Sequence, residues 1–351
     1  MSLPDVPPDV LEAWRLTGSH LTPLGSGLIN QTWLVQAGGA RYVLQQVNPV
    51  FPAAINADIQ VVTAHLRDRG LIAPELLPTT DGRLWVEHGG HVYRLMTHIA
   101  GQSRDHLSSP AQAREAGVLL ARFHRALSDL DHEFRNQRLG VHDTARHLEM
   151  LRQALAAHGA HRDYAAIRPL GDEILQLAAA LPTLPAVADR IVHGDPKINN
   201  LLFDDATGRA LCLIDFDTLG RMPLPLELGD AFRSWCNPAG EDHRQSAFAL
   251  DLFGAAVDGY AGETAGWITP TEAGAIVAGT LTIYVELAAR FCSDALKEEY
   301  FGWDPQRFPS RSAHNQVRAA SQLNAARALW DVRGAAEELV RRAFAAASEP
   351  G

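Results

Sequence analysis

Cysteine is scarce in this chain. Cys212, Cys236 and Cys292 stand apart with no C-x-x-C pair, so neither a disulfide framework nor a cysteine zinc site is indicated. Excess positive charge is missing too: the net charge is -10 at pH 7, which argues against a nucleic-acid surface, since such surfaces are normally basic. It would not repel a neutral or cationic small molecule. The opening residues, Met1 to Asp5, carry no basic segment followed by an apolar stretch, unlike a secretory leader. No apolar run approaches the ~18–20 residues that a membrane-spanning helix requires. A cytoplasmic protein without a membrane partner is therefore expected. Histidine is plentiful, but His88, His91 and His98 lack the close spacing of a zinc pair, and His142 and His147 flank a helix start. Internal repeats are absent.

What is present suits a two-lobed globular chain. It has 351 residues, 46% apolar and 21% charged, enough for two lobes with a cleft between them. The first hundred residues read mostly as strands. A glycine turn near Gly25-Ser26-Gly27 feeds a strand from Asn30 to Val35, and Gly38-Gly39 leads to a second, Arg41 to Val47. Ile55, Ile59, Val62 and Leu66 recur at helical spacing until Gly70. Segments 84–87 and 91–99 then form another hairpin around Gly89-Gly90. After Gly101 the pattern turns helical: 111–130, 144–158, 172–181, and most of the chain beyond Asp230. The expected division is residues 1–98, a small nucleotide-binding lobe, and residues 99–351, a large catalytic and acceptor-binding lobe.

The most informative stretch is His193-Gly194-Asp195-Pro196-Lys197-Ile198-Asn199-Asn200, then a short hairpin and Ile214-Asp215-Phe216-Asp217. An Asp with an Asn five residues later has the spacing of the kinase catalytic loop, where the Asp accepts the proton of the attacking hydroxyl and the Asn holds a metal ion. A second Asp at the end of an apolar strand completes a set of hard oxygen ligands suited to magnesium. Lys197 sits where a catalytic-loop lysine would approach the transferring phosphate. His193 reads as a hydrogen-bonding residue that shapes the loop. Asp217 reads equally as a supporting partner or a metal neighbour, and Asp230 either as an anchor of the catalytic loop or as the N-cap of a following helix.

On these residues the chain resembles the aminoglycoside phosphotransferase and choline kinase superfamily, which has the protein-kinase-like fold and phosphorylates small-molecule hydroxyls. Within it, the blocks Gly27 to Thr32, Tyr42 to Gln45, Lys197 to Asn200, Asp215 to Thr218, Arg290-Phe291 with Tyr300-Phe301, and His314 to Arg318 resemble the N-acetylhexosamine 1-kinases. The resemblance implies an α+β fold, with a β-rich N-terminal lobe and a mainly helical C-terminal lobe that clamp ATP and magnesium. It assigns catalysis to Asp195 and Lys197, metal binding to Asn200 and Asp215, and nucleotide contacts to Gly25, Gly27, Asn30, Gln45 and Met96. Arg290 and Tyr300 would bind the acceptor, a sugar phosphorylated at its anomeric hydroxyl. For Arg290 the alternative is a helix-face ion pair with Glu286 or Asp294. Other acceptors in the superfamily are aminoalcohols and aminoglycosides.

One departure stands out. The kinase pattern calls for a lysine on the strand Tyr42 to Gln46, but this chain has Gln45 and Gln46. An amide contributes hydrogen bonds but no charge. Either nucleotide binding is differently arranged, or Arg41, Lys197 or an arginine from elsewhere compensates, or the chain is a nucleotide-binding module without catalysis.

Overall fold

The computed structural model describes residues 5–25, 29–135, 141–264 and 266–348. A short helix α1 (Pro8–Glu12) precedes strands β1 (His20–Pro23), β2 (Gln31–Ala37) and β3 (Ala40–Val47). Helix α2 (Ile55–Asp68) follows, then β4 (Val86–His88) and β5 (His91–Thr97). The strands form one antiparallel sheet in the order β1-β2-β3-β5-β4. Alternation along the strands gives it two apolar faces. Trp33, Val35, Leu44 and Leu95 pack beneath Val10, Leu11 and Trp14 of the N-terminal segment, and the Trp14 indole donates to the carbonyl of Leu77 at 2.8 Å. On the other side α2 buries the expected Ile55, Ile59, Val62 and Leu66. Gly70 ends the helical run with a φ of 80°, a left-handed conformation that glycine adopts at no steric cost.

Past the junction the chain becomes helical, as expected, though not at once. The two-residue strand β6 (Gln102–Ser103) precedes α3 (Pro110–Ala126), α4 (Thr144–Ala157) and α5 (Tyr164–Ala180). Helix α5 starts well before the expected residue 172 and runs through Pro169. The carbonyl that Pro169 leaves without an N–H partner belongs to Ala165, which faces solvent, so water can satisfy it and the proline is tolerated. Strands β7 (Asp189–Val192), β8 (Leu201–Phe203), β9 (Ala210–Leu213) and β10 (Gly220–Pro223) come next, then α6 (Leu224–Trp235), α7 (Leu250–Thr264), α8 (Pro270–Gly274), α9 (Ile276–Lys297), α10 (Arg311–Asp331) and α11 (Arg333–Ser348).

The core of the helical part is built on α9, which packs on α4, α5, α6 and α10. By length and composition α9 could cross a membrane, which corrects the expectation that no stretch would qualify. Here 89% of its apolar window is buried inside the protein, and the helix is the axis of the core. Glycine lets α6 and α9 touch backbone to backbone: a Cβ on Gly229 would lie 2.7 Å from the Gly279 carbonyl, a distance no real side chain tolerates.

Candidate active site

Two strand pairings bring the distant acidic loops together. Strand β7 pairs antiparallel with β10, Val192 opposite Gly220, while β8 pairs with β9, Leu201 opposite Leu213. The loop leaving β7 (193–200) and the loop leaving β9 (214–219) are thus forced side by side. Ile214 donates its N–H to the Asn200 carbonyl at 2.9 Å, closing the gap. Gly194 fits only without a side chain. Its φ is 82°, and a Cβ there would meet the Thr218 carbonyl oxygen at 2.2 Å.

His193 is fully buried and shapes this junction. Its Nε2 lies 3.0 Å from the Ile214 carbonyl, a bond that puts the proton on Nε2 and leaves Nδ1 to accept from the Asp195 N–H at 3.4 Å. Burial lowers its pKa, so the ring is neutral and structural, in keeping with the sequence reading. Glu227 was not anticipated. It is completely buried on α6 and accepts the backbone N–H of His193 at 2.9 Å and of Gly194 at 3.0 Å. Two more α6 residues hold the loop: Ser234 accepts from the Ile198 N–H at 3.0 Å, and the Trp235 indole donates to the Pro196 carbonyl at 2.9 Å. Asp230 departs from both readings offered for it. Helix α6 begins at Leu224, so Asp230 lies inside it and caps nothing. Its carboxylate pairs with Arg233 at 2.9 Å, and Glu227 takes the anchoring role. An i, i+3 spacing of Glu227 from Asp230 puts both on neighbouring faces of one helix, and sequence alone does not say which faces the loop.

Asp195 is partly exposed, and Lys197 Nζ lies 2.6 Å from its Oδ2. Burial by itself would raise the Asp195 carboxyl, but Lys197, with Arg233 beyond it, holds it below its ordinary value. Asn200 donates through Nδ2 to the Asp195 carbonyl at 2.8 Å and to Oδ2 at 3.3 Å. That fixes the amide so that Oδ1 faces away from these bonds, available as a ligand. Asp215 has a left-handed backbone with φ 67°, a strained conformation for a non-glycine residue that surrounding contacts must hold. Its carboxyl is pushed up to about 6, by burial first and then by the charge of Asp217. Asp215 thus feels the negative charge of Asp217 on its own loop and of Asp195 on the other. A cation binding at Asp215 would relieve that repulsion, and the oxygen donors present suit a hard ion. Among the described residues no group of three His, Cys, Asp or Glu could enclose a metal alone. Magnesium needs none, because it takes its remaining oxygens from phosphates and water.

The other expected residues are placed as follows. Gly25 precedes β2 with φ 78°, whereas Gly27 lies outside the described residues. Asn30 donates to Asp217 Oδ2 at 2.6 Å. Gln45 is on β3 and Met96 on β5, opposite Val43 and partly buried. Arg290 is on α9, 3.9 Å from Glu286 and 5.6 Å above the Phe301 ring. Tyr300 meets that same ring edge-on at 4.8 Å. Asp294 is not the partner of Arg290. It accepts the backbone N–H groups of Glu299, Tyr300 and Phe301 and so fixes the loop that carries Tyr300.

Comparisons with known proteins agree with this layout. Residues 20–262 match the APH phosphotransferase enzyme family. Homoserine kinase of Methylobacillus glycogenes is 27% identical over 217 residues, a match covering 62% of this chain and 64% of that kinase. The chain thus spans less than two thirds of that relative. Among solved structures, a microcompartment-associated aminopropanol kinase superposes with a TM-score of 0.61 at 17% identity, covering 94% of this chain and 97% of the other. A choline/ethanolamine kinase family protein from Mesorhizobium loti gives a TM-score of 0.52 at 17% identity, with 93% of each chain covered. At such identities these structures establish the kinase-like fold, and the match over residues 20–262 establishes the family: this chain belongs to the APH phosphotransferase enzyme family.

Proposed function

We propose that the chain transfers the γ-phosphoryl group of ATP to a hydroxyl of a sugar, with Asp195 as the catalytic carboxylate and Asn200 and Asp215 as magnesium ligands. The observation that carries this reading is the convergence of Asp195, Lys197 and Asn200 within hydrogen-bond reach, with Asp215 close enough to feel both Asp195 and Lys197. Asp195 orients the acceptor O–H and takes its proton as the new O–P bond forms and the bond from Pγ to the ADP oxygen breaks. Its low pKa suits orientation, with proton uptake late in the step. Lys197, held above its ordinary pKa by Asp195 and Asp215 against the effect of burial, stays cationic and faces the transferring group. Magnesium, when bound, supplies charge neutralisation of the triphosphate. Gly25, Gly27, Asn30, Gln45 and Met96 form the nucleotide side, in residues 1–98, and the acceptor side belongs to residues 99–351. ATP as donor supports a cytoplasmic location.

The sugar assignment rests on Arg290 and Tyr300, gathered on Phe301. Glu286 already accepts from Thr144 at 2.7 Å and pairs with His142 at 2.9 Å. At 3.9 Å it holds Arg290 only loosely, leaving the guanidinium able to donate to an N-acetyl carbonyl. A second reading, an aminoalcohol acceptor, is favoured by Glu241. That carboxylate pairs with Arg233 at 3.1 Å, acts on Lys197, and could hold an ammonium group. Homoserine kinase and aminopropanol kinase, named above, are enzymes of that kind. ADP release measured over a panel of N-acetylhexosamines, aminoalcohols and aminoglycosides decides between the two. Turnover with none of them, beside retained nucleotide binding, would leave a non-catalytic binding module.

A further inference from the structure

Strand β3 carries Gln45 where the kinase pattern has a lysine, and the lysines of this chain, Lys197 and Lys297, are both elsewhere. The cation comes from the neighbouring strand. Arg94 of β5 is the registered partner of Gln45 and is 1% exposed. Its Nε and Nη2 donate to Gln45 Oε1 at 2.9 and 2.7 Å. Its Nη1 reaches Asn56 Oδ1 on α2 at 3.3 Å. Both terminal nitrogens bond the carboxylate of Asp217, Nη1 to Oδ1 at 2.5 Å and Nη2 to Oδ2 at 3.0 Å. A guanidinium has five N–H donors, and these bonds use them all. Arg94 therefore has nothing left to offer a phosphate.

In the kinase pattern the β3 lysine pairs with a glutamate on the following helix, inside the small lobe. Here the helix offers a neutral Asn56, and the carboxylate is Asp217, two residues past Asp215. The same Asp217 Oδ2 accepts from Asn30 at 2.6 Å, and Asn30 Oδ1 accepts the N–H of Asn48 at 2.9 Å. One carboxylate thus ties Asn30 at the approach to β2, β5 and, through Arg94, α2 to the loop of Asp215.

Building on the nucleotide site proposed above, we propose that Arg94 and Asp217 are its positioning pair: from β5, Arg94 replaces the absent lysine, not by touching phosphate but by clamping the sheet, with Asn30 at the approach to β2, to the Asp215 loop. Charge alone does not suffice for this. A lysine at 94 would keep the charge but could not span Gln45, Asn56 and both Asp217 oxygens, because an ammonium is a point donor without the planar fork. A lysine at 45 would set a second cation against Arg94 with no carboxylate of its own.

The test is direct titration of Mg-ADP binding to full-length wild type, Arg94→Lys, Asn30→Ala and Gln45→Lys, with melting curves and acceptor KM alongside. Each variant is expected to raise the Kd for Mg-ADP by about ten-fold or more, the scale of a lost charge-assisted contact, with acceptor KM within about two-fold of wild type. Gln45→Lys decides by sign. If Gln45 were simply a lost lysine, restoring lysine would tighten binding, and that result overturns the inference. So does wild-type Kd in folded Arg94→Lys or Asn30→Ala. If Arg94→Lys does not fold, Asn30→Ala and Gln45→Lys, at partly exposed positions, decide alone on the same criteria. Wild type that fails to bind Mg-ADP would overturn the functional reading itself, and the inference with it.

Discussion

Asp195 carries a short ion pair to Lys197 yet keeps part of its carboxylate open to solvent, the combination that the proposed mechanism requires for meeting an incoming hydroxyl. Asp195→Ala is expected to lower kcat by roughly 10²–10⁴-fold, the usual range for general-base assistance, with an unchanged melting curve. Asp215→Asn should chiefly raise the magnesium concentration needed for half-maximal activity, since one of two oxygen ligands loses its charge. A magnesium titration checks this, and an unchanged requirement places the ion elsewhere. Arg290→Ala should raise KM for an N-acetylhexosamine far more than KM for ATP; equal effects on both would return Arg290 to the ion pair with Glu286. At this scale the sequence was readable wherever local spacing sets the geometry. Asp195, Asn200 and Asp215 follow from a local pattern because neighbouring turns and one hairpin bring them together. Glu227 and Arg94 were not readable. Glu227 is one of two acidic residues on its helix, and its partners are backbone groups 33 and 34 residues away. Arg94 meets Asp217 across 123 residues of chain, a contact no local pattern encodes.

Among the elements, α6 has the heaviest task, since Glu227, Ser234 and Trp235 all fasten the catalytic loop. Glu227→Ala would leave two buried N–H groups without acceptors, at roughly 1–3 kcal/mol each. Urea unfolding is expected to show a loss of about 3 kcal/mol, together with reduced kcat from a loosened Asp195. A loss under about 1 kcal/mol would mean that water replaces the carboxylate. Most elements could be foreseen from period and breakers: the two central hairpins, α2 with its buried stripe, α3 and α4. The exceptions have local causes. Pro169 hid the first turns of α5, and β6, two residues long, has too little alternation to be noticed. It exists because Gln102 and Ser103 add to the edge of β8, and Ser103 Oγ then donates to the Asn199 carbonyl at 2.7 Å.

For the whole molecule, the loop after α6, the loop after α9 and helix α10 are drawn together on a single carboxylate. Asp242 accepts from Arg318 at 2.9 Å, pairs with His314 at 2.8 Å, and meets Arg307 at 3.0 Å. Burial alone would raise its carboxyl, but His314 and Arg318 hold it well below its ordinary value of 3.8. A depressed folded pKa means that the unfolded chain binds this proton more readily. The stabilisation is therefore complete above pH 3.8 and fades as the pH falls towards the folded value. Asp242→Asn should lower stability at neutral pH and flatten the acid limb of a melting-temperature profile, with the gap to wild type closing on acidification. A constant gap at every pH would assign the effect to packing. The contact of Gly229 with Gly279 reaches further than stability. Helix α6 holds the catalytic loop, α9 holds Arg290, and their backbones touch, so neither helix can shift against the other without a clash. If Arg290 and Tyr300 line the acceptor site as proposed, divergence towards a new acceptor is expected in the loop of residues 298–304, where side chains can be exchanged while the α6–α9 frame is inherited unchanged.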